Sequence, residues 1–243
     1  MNKLKALIKK ILKPFALGRL IYPYVQKTYR SVAIPMRRRL LRRKGWEVLA
    51  RIDTVLTSLN APYFLDYGTL LGLIRDGGFI PHDDDIDLTI PPGAARPQEV
   101  LKASLAAGFS YVHGFDVAGY FCEFTVRDRT NLTIDLFFPL RDTEDATKMI
   151  GYDIFWEPTR TYPNERANTV VATAYAIPTT IKRATFNGIE VSIPDPPEAL
   201  LACEYGAGWK VPDPNFRPRE ERRCWELKEL AFRMDLDEAL AHA

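Results

Sequence analysis

The feature that most constrains the fold of this chain is a cluster of carboxylates at the head of an apolar segment. Four acids fall within five positions: Asp83, Asp84, Asp85 and Asp87. Ile86 and Leu88 alternate with the last two of them, which is the two-residue period of a half-buried strand. Because side chains two apart on a strand share a face, we predict a strand over 85–90 that points both acids to one face and both apolar side chains into the core.

A second acid-bearing segment lies at 132–137, where Asp135 sits among leucine, isoleucine and phenylalanine. An unpaired charge among apolar side chains is costly, so Asp135 needs a partner. If its strand neighbours the acidic strand, Asp85, Asp87 and Asp135 converge. Carboxylates that repel one another raise one another's pKa unless a cation neutralises them. An oxygen-rich site with incomplete protein coordination suits Mg²⁺ or Mn²⁺.

The segment upstream of these acids, 67–76, joins a predicted short strand to a predicted short helix. Gly68 permits close approach of a ligand to the backbone, and the free N–H groups of a helix N-terminus attract anions. Thr69 can donate a hydroxyl hydrogen bond to phosphate, and Arg75 lies two turns further along the helix. We therefore expect Gly68, Thr69 and Arg75 to bind substrate phosphate.

Each of these residues also has an ordinary structural interpretation. Asp83 and Asp84 fit loop or turn positions, His82 fits a loop, and the acids of the predicted strand fit a solvated face. Asp135 fits a core ion pair with an arginine, and Arg75 fits a plain ion pair. Because the residues of these neighbouring segments all fit the same site, we favour one shared site over a separate structural role for each residue.

The remaining pattern predicts an α+β protein with a mixed β-sheet and flanking helices. The predicted strands cover 63–66, 85–90, 109–112, 120–127 and 132–138, and the predicted helices cover 69–76, 98–108, 196–205 and about 219–234. Asn187–Gly188 is the turn of a predicted hairpin over 186–193. Residues 141–180 show neither the helical nor the strand periodicity of apolar residues, so we expect loops, short strands and at most one helix there.

The charge of the chain is distributed unevenly along its 243 residues. Residues 1–44 contain fourteen lysines and arginines and no acid, and the remainder carries a formal charge of −12, so the net charge is only +2. Such asymmetry is typical of an arm that binds nucleic acid or a membrane surface, joined to a separate domain. We therefore predict a basic helical arm at 1–44 and a catalytic domain at 45–243.

The first part of the arm, 2–15, has the period of an amphipathic helix with lysines on its polar face. Its apolar positions form one stripe: Leu4, Leu7, Ile8, Ile11, Leu12 and Phe15. Such a helix can lie in a membrane interface, and packing on the body or binding of nucleic acid are the alternatives. We expect Pro14, Pro23 and Pro35 to break the arm before a long helix at 36–59.

Several classes of protein are excluded by composition. A chain that is 47% hydrophobic and 26% charged is globular, not disordered, collagenous or coiled coil. Cys122, Cys203 and Cys224 are too scattered for a disulfide framework or a structural zinc site. No run of about 18 apolar residues predicts a transmembrane helix, and lysines interrupt any signal-peptide core. We expect a cytoplasmic protein that is peripheral on the inner face of a membrane.

The acidic motifs resemble those of a known family. Gly68–Thr69, Asp85–Ile86–Asp87 and Asp135 are similar to the signature of the nucleotidyltransferase-fold superfamily, and the run GTLLGLIRDGGFIPHDDDIDLTI resembles its LicD branch. That branch includes bacterial phosphorylcholine transferases and the fukutin-related ribitol-phosphate transferases. The resemblance continues in LTIDLFFPL and FNGIEVSIPDPPEALLACEYGAGW and covers about 45–215, so the basic arm lies outside it.

The resemblance implies metal-dependent transfer of phosphocholine or a polyol phosphate from a CDP-activated donor. The acceptor would be a hydroxyl of a cell-surface glycan or its lipid-linked precursor, as in lipopolysaccharide biosynthesis. It implies Asp85 and Asp87 as metal ligands and Asp135 as a third ligand or the general base. Asp83 matches the first acid of a related DxDxD pattern, which makes it a further ligand for Mg²⁺ or Mn²⁺. The three substrate residues named above would hold the donor phosphates.

The resemblance leaves some roles open. Tyr205, Gly206 and Trp209 match a C-terminal motif of the family, with packing and substrate contact as equal interpretations. Two alternative functions remain: a nucleotidyltransferase-fold enzyme that transfers a nucleotide to a small molecule or protein, and an inactive membrane-binding module. We expect a membrane contact through residues 1–30 and no nucleic-acid partner.

Overall fold

The computed structural model describes residues 16–157, 159–213, 216 and 224–242, with side chains described from residue 33 onward. The helices are α1 (Ala16–Ser58), α2 (Tyr67–Leu71, followed by a π-helical turn at Gly72–Asp76), α3 (Pro97–Ala106), α4 (Pro197–Tyr205) and α5 (Leu236–Ala241). The strands are β1 (Phe64–Leu65), β2 (Ile86–Thr89), β3 (Ser110–Val117), β4 (Tyr120–Arg127), β5 (Thr133–Phe137), β6 (Leu140–Arg141), β7 (Lys148–Phe155), β8 (Ala167–Ala176), β9 (Thr180–Phe186), β10 (Ile189–Asp195) and β11 (Cys224–Met234).

Within the described ranges, nine strands form one mixed sheet in the order β1-β2-β5-β4-β3-β11-β8-β7-β6. β2 and β5 are parallel neighbours, and the other pairs of this sheet are antiparallel. β9 and β10 form a separate hairpin, whose turn residues Asn187 and Gly188 have φ values of 48° and 78°, as a type I′ turn requires. The α+β class, the mixed sheet and the hairpin are therefore confirmed.

The core lies between the sheet and the helices. α1 packs near β10, and α3 packs near β4. Ile52 of α1, Leu101 of α3 and the pair Ile134 and Leu136 of β5 are fully buried. Each such side chain contributes roughly 1.5–3 kcal/mol when it leaves water. Because side chains alternate along a strand, the acidic residues of β2 and β5 lie on the opposite face of the sheet from this packing.

The long N-terminal helix differs from the prediction. α1 runs without interruption through Pro23 and Pro35 and through the predicted boundary at residue 44. A proline inside a helix costs about 3 kcal/mol, and burial of side chains such as Leu41 and Leu49 offsets that cost. The predicted amphipathic helix at 2–15 lies outside the described residues. Along the described ranges, none of the helices combines the length and the apolar character needed to cross a membrane.

Two predictions for the second half of the chain are wrong. Residues 141–180 contain the long strands β7 and β8, and residues 224–234 form β11 where a helix over 219–234 was predicted. β8 is buried on both faces along most of its length, which removes the alternation that reveals a strand. β11 has a bulge between Glu226 and Leu230, which shifts its side-chain period midway.

Candidate functional site

The parallel junction of the sheet brings two acidic segments together. β2 and β5 pair in register, so that Asp87 lies opposite Asp135. Ile86 and Leu88 are fully buried on the other face, as the alternating pattern predicts. The condition under which the acids converge, that the two strands are neighbours, is therefore met.

Three of the acids form a tight group at the head of β2. Oxygen atoms of Asp83, Asp85 and Asp87 all lie within 4.8 Å of one another. Asp83 comes from the loop before the strand, and one of its oxygens, Oδ2, is buried without a hydrogen-bond partner among the described residues. Among the described residues, Asp135 is not a member of this tight group, although it lies opposite Asp87.

Burial and repulsion among the carboxylates dominate the electrostatics of the group. Burial, followed by repulsion from Asp85, raises the pKa of Asp83 to about 8. The same two causes raise the pKa of Asp135 to about 7. Burial and then the charges of Asp85 and Asp83 raise the pKa of Asp87 well above its usual range. Burial and mutual repulsion make ionisation of this group costly, so the group by itself does not stabilise the protein.

The Thr69 side chain holds the backbone of the acidic strand. Its side chain is fully buried, and its hydroxyl oxygen accepts a hydrogen bond from the backbone N–H of Asp87 at 2.9 Å. Asp66 supports the same junction, because its carboxylate caps α2 by accepting from Tyr67 N–H and also accepts from the Thr89 hydroxyl. Thr69 therefore fixes the backbone of β2 at Asp87.

Gly68 is required by the close approach of a side chain. A Cβ at this position would lie 2.5 Å from Asp83 Oδ2, far inside van der Waals contact. The absence of a side chain thus lets the carboxylate of Asp83 lie against the start of α2. The group that approaches Gly68 in the structure is the carboxylate of Asp83.

A cavity of about 800 Å³ adjoins the acidic group. Asp83 belongs to the group and also lines the cavity. The other lining residues come from α2 and its π-helical turn, the loop before β2, the end of α4 and the segment after it: Gly68, Leu71, Arg75, Ile80, His82, Tyr205, Gly206, Ala207, Gly208, Trp209, Val211, Pro212, Asp213 and Phe216. Arg75 lines the cavity, and its guanidinium also makes two hydrogen bonds to Asp76 at 2.8 and 2.7 Å. The motif residues Tyr205, Gly206 and Trp209 therefore belong to the cavity wall.

An arginine of α1 that was not among the predicted site residues holds the acidic loop. Arg37 Nε lies 3.0 Å from Asp84 Oδ2, and its Nη2 lies 3.8 Å from Asp85 Oδ2. Nη2 also donates to the Thr133 hydroxyl at 2.9 Å, so Arg37 links the loop to the start of β5. In the sequence, Arg37 is the first residue of an arginine run at 37–39. The charge pattern placed this whole run in the basic arm, so Arg37 was not considered as a site residue.

The comparisons with known proteins agree with the geometry. The family model described as LicD/FKTN/FKRP, nucleotidyltransferase domain, matches residues 60–195. A mouse (Mus musculus) protein named ribitol-5-phosphate transferase FKTN is 26% identical over 174 residues, which are 71% of this chain and 34% of that protein. An uncharacterized Caenorhabditis elegans protein is 32% identical over 109 residues, which are 44% of this chain and 29% of that protein. This chain thus spans about a third of the length of these relatives.

One solved structure overlaps the chain in part. It is the lincosamide antibiotic adenylyltransferase LnuA with lincomycin bound, at 11% sequence identity and a TM-score of 0.36. The overlap covers 63% of this chain and 78% of that one.

Proposed function

This chain belongs to the LicD/FKTN/FKRP nucleotidyltransferase-domain family, and on that basis we propose that it transfers phosphocholine or a polyol phosphate from a CDP-activated donor to a glycan hydroxyl. The acceptor is a cell-surface glycan or its lipid-linked precursor. The observation that carries the proposal is the convergence of Asp83, Asp85 and Asp87 within 4.8 Å beside a cavity of about 800 Å³. The name of the FKTN relative, a ribitol-5-phosphate transferase, supports transfer of a phosphate-containing group.

The tight acidic group fits a divalent cation, Mg²⁺ or Mn²⁺. Carboxylate oxygens are the ligands these ions prefer, and Asp83 Oδ2 has no protein partner to satisfy it in the described part of the chain. Asp83, Asp85 and Asp87 would hold the cation, which would offset the charge that develops on the phosphate oxygens. The protein's own contribution is placement: Thr69 fixes Asp87, and Gly68 leaves room for Asp83.

We assign Asp135 as the base that accepts the proton of the acceptor hydroxyl. It faces the same side of the sheet as Asp87 but stands outside the group of three. Burial and the charge of Asp85 raise its pKa to about 7, and a base is most effective when its pKa lies near the working pH. Asp135 thus has both the position and the basicity for this role.

The cavity suits the nucleotide part of the donor. Its volume of about 800 Å³ falls within the range of small-molecule sites, roughly 300–1,000 Å³. Tyr205, Trp209 and Phe216 supply aromatic surface for a pyrimidine ring, and Arg75 and His82 supply polar groups for a diphosphate. We therefore place the cytidine diphosphate in this cavity, with its phosphates toward Asp83.

The N-terminal basic segment suits an acceptor that lies at a membrane. Residues 1–30 contain eight lysines and arginines and no acid, and basic amphipathic segments bind anionic lipid surfaces. We propose that this segment holds the enzyme peripherally at the cytoplasmic membrane surface, near a lipid-linked acceptor.

The test is to incubate the full-length protein and Mg²⁺ with CDP-choline or CDP-ribitol and a glycan acceptor, and to determine the mass of the product by mass spectrometry. A phosphocholine or ribitol-phosphate increment on the acceptor, with release of CMP, is the expected result. A CMP or AMP increment on an acceptor would instead identify nucleotidyl transfer. Chelation with EDTA should stop the reaction, and added Mn²⁺ or Mg²⁺ should restore it.

A further inference from the structure

A chain of side-chain hydrogen bonds runs from the acidic site into neighbouring strands. Thr125 of β4 lies opposite Asp135 of β5, and His113 of β3 lies opposite Thr125. Thr125 Oγ1 donates to Asp135 Oδ1 at 2.6 Å, and His113 Nε2 lies 3.0 Å from the same hydroxyl oxygen. Asp87, Asp135, Thr125 and His113 therefore form one row across four adjacent strands.

The direction of these hydrogen bonds follows from the chemistry of the groups. An ionised carboxylate only accepts, and a hydroxyl has a single proton to donate. Because Thr125 gives its proton to Asp135, its oxygen must accept from His113, which then carries its proton on Nε2. The network thus fixes one tautomer of the imidazole as well as one oxygen of the carboxylate.

The surroundings of His113 favour its neutral form. Burial, followed by the charges of Arg233 and Arg127, lowers the pKa of His113 to about 4. Its ring also packs edge-on against Phe115, with centroids 5.1 Å apart, which limits rotation of the imidazole. A neutral donor orients Asp135 without placing a second positive charge beside the cation site.

We propose that Thr125 and His113 are positioning residues for Asp135. His113 donates a hydrogen bond to Thr125, Thr125 donates one to Asp135 Oδ1, and together they hold the carboxylate in one orientation. The inference rests on the proposed function, because it assumes that Asp135 accepts the acceptor's proton. The hydrogen bond to Thr125 occupies Oδ1 and leaves Oδ2 for the acceptor hydroxyl. Groups that orient an active-site side chain by hydrogen bonding affect activity about 10–100-fold when they are removed.

The kinetic test compares Thr125→Val, which keeps the size but removes the hydroxyl, with Thr125→Ser, which retains it. We expect Thr125→Val to lower kcat about 10–100-fold, with the KM for the CDP donor and the Mn²⁺ affinity measured by electron paramagnetic resonance both unchanged. Thr125→Ser should restore most of the lost kcat. His113→Gln, which keeps an N–H donor, should retain more activity than His113→Leu.

Thr173→Val is the matched control, because Thr173 lies on β8 of the same sheet and its buried hydroxyl has no hydrogen-bond partner among the described residues. It should leave kcat unchanged. A Thr125→Val variant with wild-type kcat would overturn the inference. So would a Thr125→Val variant that loses Mn²⁺ affinity and recovers full kcat at saturating Mn²⁺, because Thr125 would then support a metal ligand.

A measurement without turnover separates this inference from the proposed function. Nitrogen-15 NMR of the histidine rings at a pH above the Asp135 pKa of about 7, where this carboxylate is ionised, should show His113 neutral, with its proton on Nε2, and Thr125→Val should shift that proton's resonance. A charged His113, or one protonated on Nδ1, would refute the network. If the wild-type protein turned over none of the donors, the proposed function would fail, and the NMR result alone would decide the inference.

Discussion

Asp87 of β2 and Asp135 of β5 are paired residue for residue across the parallel junction of the sheet. Neighbouring strands lie about 4.8 Å apart, so two acids that are far apart in sequence face the same small volume. The apolar residues that flank each acid are buried on the opposite face, which holds both strands in this register. A shift of one residue would exchange core and site faces, so the packing of the core protects the geometry of the site.

Replacement of Asp87 by alanine should abolish turnover and leave the fold intact. The carboxylate belongs to the acidic group, where its removal also relieves repulsion. We expect activity to fall by at least about 10³-fold, with an unchanged circular dichroism spectrum. Asp237→Ala, at an exposed position in α5, is the control and should behave as wild type. Full activity of Asp87→Ala with Mg²⁺ would show that the site is assigned to the wrong residues.

Replacement of Gly68 by alanine should weaken metal binding. The new Cβ would lie 2.5 Å from Asp83 Oδ2, so the carboxylate must leave its place in the group. We expect Mn²⁺ affinity, measured by electron paramagnetic resonance, to fall on the order of 10-fold. Gly78→Ala is the matched control, because a Cβ at that position would have no other atom within 4 Å. Equal Mn²⁺ affinities for the two variants would contradict the proposed placement of Asp83.

Replacement of Arg37 by glutamine should lower stability in a salt-dependent manner. The variant loses the ion pairs with Asp84 and Asp85, and the Arg37 side chain is 31% exposed. We expect the free energy of unfolding in urea to fall by about 1 kcal/mol or less, with a smaller difference at high salt. Arg39→Gln, exposed on the same helix, should cause no such loss, and an equal loss in both variants would refute the specific role of Arg37.

The stabilising effect of a divalent cation should increase with pH. The folded pKa values of Asp83 and Asp135, about 8 and about 7, lie above the unfolded value near 3.9. The folded protein therefore retains protons that the unfolded chain releases, and this contribution to stability is lost as pH rises from about 4 through 8.

Because a cation must displace those protons at low pH, Mg²⁺ should raise the melting temperature more at about pH 8.5 than at about pH 6. Scanning calorimetry of the full chain with and without Mg²⁺ provides the measurement, and Asp83→Asn should reduce the difference between the two pH values. An identical Mg²⁺ effect at both pH values would contradict the assignment.

Removal of charge from the N-terminal segment should reduce binding to anionic vesicles. The variant replaces five lysines by glutamine: Lys3, Lys5, Lys9, Lys10 and Lys13. Each lysine near an anionic surface contributes about 1 kcal/mol, so sedimentation with phosphatidylserine vesicles should fall strongly. Phosphatidylcholine vesicles serve as the control surface. Unchanged sedimentation with phosphatidylserine would reject a membrane role for this segment.

The accuracy of the sequence predictions depended on how local the deciding interactions were. The alternation around Ile86 and Leu88 and the turn at Asn187–Gly188 are local signals, and both are confirmed. β11 was predicted as a helix because its bulge masks the strand period. The role of Arg37 was missed because its partners lie 47 and 48 positions away along the chain.

The sequence by itself determined the acidic strand, the second buried acid and the resemblance to a nucleotidyltransferase family, because residue type and spacing carry that information. Only the tertiary structure decided which groups meet. It placed Asp83 against Gly68 and turned Thr69 toward the backbone of Asp87. It also connected His113 to Asp135 through Thr125. These contacts depend on strand order and register, which are set by the packing of the whole core rather than by any single segment.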